Sequence, residues 1–292
     1  MSIQTRIAAA TDTMSPSLAG IARVVARTPS IVVDSTITEL AATCGTSVAS
    51  VIRFCRAIGV DGYAALRMAV AAELGRESAQ FGASASFGSE ISAADSLREA
   101  TAKIAALELL AIEETIASLD YDALAGAVDA VDAADRIVLF GVGASRLAAG
   151  DLGQKLLRIG RLAVVATDSH EAATVAALGS PASVAIGLSH SGTTRETVSF
   201  LRTAHAAGSA TVAVTGSTSS PLADAADHVL LTRAREPRLR AGAMVSRMAQ
   251  LAVVDCLFVG IGQRRHDAAV DALQRTAEAT STLNRPDAAD VG

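Results

Sequence analysis

Cysteine is scarce in this 292-residue chain, with Cys44, Cys55 and Cys256 standing far apart. Three scattered cysteines cannot form a disulfide framework. No CxxC pair occurs and the first histidine is His170, so the sequence offers no zinc site around Cys44 and Cys55. Small buried apolar residues are the expected role of these thiols. Long uncharged apolar runs are missing too: none reaches the ~18–20 residues that a membrane span needs. The first fifteen residues lack a basic flank followed by an apolar stretch, so no secretory leader is expected and the chain is placed in the cytoplasm. Excess positive charge is also absent, the formal net charge being −5.

That charge is unevenly distributed. Residues 1–76 hold seven arginines against five acids, net +2, and the remainder carries net −7. If the chain has a nucleic-acid partner, the N-terminal part meets it. Residues 1–15 show no clear period and are expected to fray. From Ser17 to about Arg76 the pattern is helical. The stretch 77–90 (ESAQFGASASFGSE) has the composition of a linker. Helical patterns follow over about 95–119 and 122–133. After Arg136 short apolar runs alternate with helical segments: 137–140, 162–166, 183–188, 211–215 and 228–231. Runs unbroken by polar alternation suit strands buried on both faces of a parallel sheet. The expectation is an α/β protein: an N-terminal all-α domain over 1–76, a linker over 77–94, a doubly wound five-stranded parallel α/β/α domain with leading helices over 95–262, and a C-terminal helix and tail over 263–292. The last strong helix, about 241–262, is apolar nearly all round and therefore buried. The tail after about Thr282 is expected to be disordered.

In the first domain, Leu18, Ile21, Ala22 and Val25 recur at helical spacing, as do Ile37, Leu40, Ala41 and Cys44. Thr36 and Glu39 stand at capping-box spacing, Gly45 ends that helix, and Ser47 is placed to cap the next, with an apolar face of Val48, Val51, Ile52 and Cys55. Two short helices around a glycine turn form a helix-turn-helix. Its second helix would then expose Ala49, Ser50, Arg53 and Arg56, with Phe54 and Ile58 anchoring it from behind. Arginine pairs with guanine or phosphate. An ordinary three-helix unit with a solvated arginine face fits the same spacing equally well.

In the second domain, strand one leads into GVGASR (141–146), where Arg146 takes the third glycine position of a dinucleotide fingerprint and weakens that reading even with Asp168 following strand two. Strand three leads into SHSGTT (189–194). Hydroxyls and free backbone N–H groups at a helix N-terminus suit a phosphate dianion. Ser145 adds another hydroxyl after strand one. With strand order 2-1-3-4-5 both loops flank the switch point where open sheets bind ligands. Capping explains one or two of these hydroxyls; five at one crevice ask for more. His170 and Glu171 follow strand two and could face a sugar or simply cap a helix. His205 is expected on an exposed helix face and His228 at a strand start. The serine-rich turn at 215–227 could close the pocket, and Arg233, Arg235, Arg238 and Arg240 form a basic run.

Over roughly residues 15–262 the chain resembles the RpiR/MurR family of bacterial transcription regulators. TITELAATCGTSVASVIRFCRAIGVDGYAALRM (36–68), with its V-x-RFCR-x-IG core and following GY, is similar to that family's helix-turn-helix. GVGASRLAAGDLGQKLLRIG, DSH, GLSHSGTTRETV, TGSTSSPLADAAD and AGAMVSRMAQLAVVD resemble its sugar isomerase (SIS) domain, in the same order and spacing. The resemblance implies a phosphosugar effector held by Ser145, Ser189, His190, Ser191, Gly192 and Thr194, with His170 nearby, and DNA contacts from Ser47, Ala49, Ser50, Arg53 and Arg56. It also implies a homodimer or homotetramer, a palindromic operator, control of sugar or amino-sugar metabolism, and no metal, cofactor or catalytic residue. Position 50, often Thr in that family, is Ser here. Two alternatives stand beside this reading. One is a phosphosugar isomerase or lyase using His170, Glu171 or Glu196 as base. The other is a sugar sensor that acts through a protein partner.

Overall fold

The computed structural model describes residues 3–11, 14–81, 91, 94–234 and 243–282. They fall into two compact units, residues 1–118 with 233–245, and residues 119–232 with 246–292.

The first unit contains α1 (Ile3–Thr11), α2 (Pro16–Arg27), α3 (Ser30–Asp34), α4 (Ile37–Thr43), α5 (Val48–Ala57), α6 (Gly62–Phe81) and α7 (Leu97–Ala117). Ile21, Val25, Leu40, Val51, Phe54, Cys55 and Leu66 form a single core among α2 to α6. Ile3 and Ile7, one turn apart, join that core, so α1 is a packed helix where fraying was expected. Nine residues are too few for a helical period to stand out. Arg6 adds a hydrogen bond from Nη2 to the Gly59 carbonyl at 2.6 Å. Helix α6 continues to Phe81, so the linker expected from residue 77 does not begin there; Glu77, Ala79 and Gln80 favour helix. Residues 82–90 of that stretch lie outside the described residues, as do Arg235, Arg238 and Arg240 of the basic run and the tail after Thr282. A capping box of Ser96 and Glu99 opens α7, which groups with the first unit and not with the α/β unit.

The second unit contains α8 (Tyr121–Ala133), β1 (Arg136–Gly141), α9 (Ala144–Arg158), β2 (Ala163–Val165), α10 (Ser169–Ala177), β3 (Ser183–Ser189), α11 (Arg195–Ala206), β4 (Ala210–Thr215), β5 (His228–Leu231), α12 (Met244–Arg264) and α13 (His266–Thr282). The five strands are all parallel, in the order β2-β1-β3-β4-β5. Side chains alternate between the faces, as the pleat requires. Ile137, Leu139, Ile186, Val212 and Val214 pack with Val128, Leu152 and Leu257 of α8, α9 and α12. Val138, Phe140, Ala185 and Ala213 pack with Ala172 and Leu201 of α10 and α11. The Phe140 and Phe200 rings meet at 5.6 Å between centroids. By length and hydropathy α12 could cross a membrane. It carries Arg247 and Asp255, however, and buries Val253, Val254, Leu257 and Ile261 in the α/β core.

Candidate functional sites

Helices α4 and α5 form the helix-turn-helix. Thr36 and Glu39 close the capping box at the start of α4, the Thr36 N–H donating to Glu39 Oε2 at 2.7 Å. Gly45, at φ +60°, turns the chain out of α4 and lets the Thr46 N–H reach the Ala41 carbonyl at 2.9 Å. Both orphan-carbonyl bonds of a left-handed helix stop are thereby made, the second from Gly45 to Ala42. Tyr63 of α6 shares its hydroxyl proton between the Val32 and Ser35 carbonyls, 3.1 and 2.9 Å away, and so pins the approach to α4. Ser47 accepts from the Ser50 N–H and caps α5.

The face of α5 differs from expectation. Val51, Phe54, Cys55 and Ile58 are buried, whereas Val48 and Ile52 are exposed. Ser50, expected on the outer face, is only 4% exposed. Its Oγ lies 3.1 Å from Ser47 Oγ and accepts from Arg53 Nη2 at 3.0 Å. Ala49, Arg53 and Arg56 are exposed. Burial pushes the Cys55 thiol up to about 11. No group of His, Cys, Asp or Glu among the described residues could hold a metal ion.

The other candidate site lies at the C-terminal ends of β1 and β3, where the strand order of the sheet reverses. Two helices start there. α9 begins at Gly143 and α11 at Thr194, and no side chain caps either first turn. In the same unit α8 and α10 are capped by Asp120 and Asp168. Thr194 has the hydroxyl to cap α11, but its Oγ1 lies 2.9 Å from Ser189 Oγ instead. Ser191 accepts from the Thr193 N–H and hydroxyl at 3.3 and 3.1 Å. Ser189 is buried at the strand end and Ser191 is exposed at the loop tip.

The loop is fastened to the one after β4. The Leu222 N–H donates to the Gly192 carbonyl at 3.0 Å, and the Gly216 N–H to the His190 carbonyl at 2.9 Å. Gly192 sits at φ +66°, and a Cβ there would come within 2.2 Å of Ser220 Oγ and 2.8 Å of Thr215 Oγ1. Only glycine fits. Ser145, in the first turn of α9, is buried and accepts from Gln250 Nε2.

The residues after β2 are engaged differently. Asp168 accepts from the His170 and Glu171 N–H groups at 2.8 and 2.9 Å, as a cap and not as a ribose ligand. The Glu171 carboxylate accepts from the Thr167 N–H and hydroxyl at 2.8 and 2.7 Å. These bonds hold both carboxyls below their ordinary range, the backbone N–H being the larger cause in each. His170 is exposed on α10, Glu196 is exposed on α11, and His205 faces Asp227 at 3.7 Å on the surface. A separate open groove of about 530 Å³ lies along α11, lined by Thr193, Arg195, Val198, Ser199, Arg202, Thr203 and Pro221. The sequence does not single out Gln250 or Ser220, and it marks Tyr63 only as part of the GY motif; each acts through a partner at least 28 residues away or through a loop contact.

Residues 1–77 match the helix-turn-helix domain of the rpiR family, and residues 131–260 match the SIS domain. An uncharacterized HTH-type transcriptional regulator of Caldanaerobacter subterraneus subsp. tengcongensis is 37% identical over 270 residues, covering 92% of this chain and 94% of that protein. Another, of Haemophilus influenzae, is 33% identical with 88% of each chain covered. Among solved structures, the Vibrio vulnificus NanR protein complexed with ManNAc-6P is 28% identical, with a TM-score of 0.61 over 98% of this chain and 100% of that one. The sugar isomerase domain of an RpiR transcription factor from Sphaerobacter thermophilus covers 61% of this chain at 28% identity and a TM-score of 0.56. Fold and relatives together define a transcriptional regulator built from a helix-turn-helix and an SIS domain. The chain belongs to the rpiR family.

Proposed function

We propose that this regulator reads DNA through α5 and that a phosphorylated sugar, bound where β1 and β3 end, alters its affinity for an operator. The observation that carries the effector half is the pair of uncapped helix starts. Neither α9 nor α11 has a side-chain cap at the switch point, and the hydroxyls of Ser145, Ser189, Ser191 and Thr194 stand around these helix starts. Such a place suits a phosphate dianion. Gly192 and the His190 backbone shape the loop, and His170 is assigned to the sugar end. The NanR relative, complexed with ManNAc-6P, supports an amino-sugar phosphate as the effector class.

For DNA, exposed Arg53 and Arg56 contact bases or phosphates, Ala49 permits close approach, and Ser47 and Ser50 hold the start of the helix. We take residues 1–76 as the DNA-binding part. The protein acts in the cytoplasm as a homodimer or homotetramer on a palindromic operator. No catalysis is assigned: Glu171 is held as a carboxylate by a cap, which leaves it a weak base, and an isomerase has no use for a helix-turn-helix.

The test is fluorescence anisotropy on labelled DNA from upstream of the gene, at fixed salt because phosphate contacts are salt-dependent. ManNAc-6P should shift specific binding and unphosphorylated ManNAc should not. Equal affinity for upstream and random DNA across the salt range would remove the DNA half of the proposal.

A further inference from the structure

Two buried positions of α12 are polar, Ser246 in its first turn and Gln250 in the apolar stretch that follows. Gln250 is 1% exposed, and its Nε2 donates to Ser145 Oγ at 3.1 Å across 105 residues of sequence. Neighbouring positions of the helix are filled by Ala249, Val253 and Val254. A leucine would complete that packing without the desolvation cost of an amide, so the glutamine calls for a reason other than packing.

Ser145 supplies one. Its carbonyl group and the Leu188 carbonyl oxygen crowd the same side of Gly141, at 2.9 and 3.1 Å from where a Cβ would stand. Ser145 therefore lies against the end of β3, one residue before Ser189. A serine hydroxyl has one proton to give and two lone pairs to offer. The Gln250 amide takes a lone pair, and Ser145 donates to no group among the described residues. An unassisted hydroxyl would be free to rotate.

We infer that Gln250 is a positioning residue for phosphate recognition: its N–H fixes the Ser145 oxygen so that the hydroxyl proton is offered to an anion in the crevice. The inference rests on the reading of that crevice as a phosphosugar site. It makes α12 part of the site through its contact with Ser145.

The experiment uses the full chain and inorganic phosphate, followed by ³¹P NMR titration at neutral pH. Gln250→Leu should weaken phosphate binding about five-fold, the effect of one misdirected neutral hydrogen bond. In a Ser145→Ala background the same change should have no further effect, because the hydroxyl it orients is gone. Gln250→Glu, a near-isostere that only accepts, turns the proton inward and should weaken binding more than leucine does. Its fold, checked by melting, keeps the test available if the leucine variant does not fold. An equal loss from Gln250→Leu with and without Ser145, or undiminished binding by both Gln250 variants, overturns the inference. Failure of the unaltered protein to bind phosphate overturns the phosphosugar reading itself, and this inference with it.

Discussion

Arg53 donates from Nη2 to Ser50 Oγ at 3.0 Å, one turn back along α5. Ser50 Oγ in turn lies 3.1 Å from Ser47 Oγ, so a short polar chain runs from the helix cap to the exposed guanidinium. The bond directs the exposed Arg53 guanidinium back along the helix toward its cap. Arg53→Ala should lower operator affinity by about 1–3 kcal/mol if the side chain reads a base, and relax sequence preference at one position. Ser50→Ala should leave the fold intact and reduce the ratio of operator to random-DNA affinity a few-fold. Anisotropy titrations against both DNAs over a range of salt separate the two effects. Unchanged discrimination in both variants would exclude this pair from recognition.

Gly192→Ala tests the effector loop. At φ +66° an L-residue costs roughly 1–2 kcal/mol, before its Cβ meets Ser220 and Thr215. The variant should bind operator DNA as the unaltered protein does, yet lose the response to ManNAc-6P. A normal response in the variant would show that the loop tolerates distortion and is not the phosphate cradle.

Acid should weaken the fold through its capping carboxylates. Glu39, Glu99, Asp168 and Glu171 are all held below their ordinary range, chiefly by backbone N–H groups. A carboxyl whose folded value is depressed contributes stability above its unfolded value, about 4, and loses it as the pH falls through the folded value. Urea midpoints should stay flat between about pH 7 and 5 and fall below about pH 4. Glu171→Gln should flatten part of that fall. A midpoint that rises on acidification would refute the assignment.

Cys55 should behave as a hydrocarbon. It is fully buried, and its thiol is pushed up to about 11. At pH 8 a thiol reagent should modify Cys44 and Cys256, both half-buried, well before Cys55. Cys55 should react only as the helical unit unfolds. Labelling of Cys55 at the rate of the other two would show that α5 opens locally.

Much of the fold was legible because its signals are local. The five apolar runs became five strands within a residue or two, and the capping box at Thr36 and Glu39 formed as its spacing required. The candidate loop 189–194 does open a helix, and Ser145 does lie against the neighbouring strand end. Errors arose where the decisive partner is remote. Ser50 is a different case: it precedes Phe54 and Ile58 by one and two turns of α5, so the anchors named from the sequence already put it on the buried side. Ile3 and Ile7 are too few to announce a helix; the core they enter was built by residues 21–66. Gln250 looks like a flaw in an apolar helix, and its meaning depends on Ser145, in another part of the sequence.

The bonds from Leu222 to Gly192 and from Gly216 to His190 bear on how a signal could leave this site. A loop already tied on both sides of its tip has little left to order when an anion enters, so little conformational entropy is lost there. Docking of phosphate alone should then be accompanied by only a small change in heat capacity, since it covers little apolar surface. A calorimetric change with a whole sugar phosphate that exceeds what covering the sugar accounts for would report movement elsewhere in the chain.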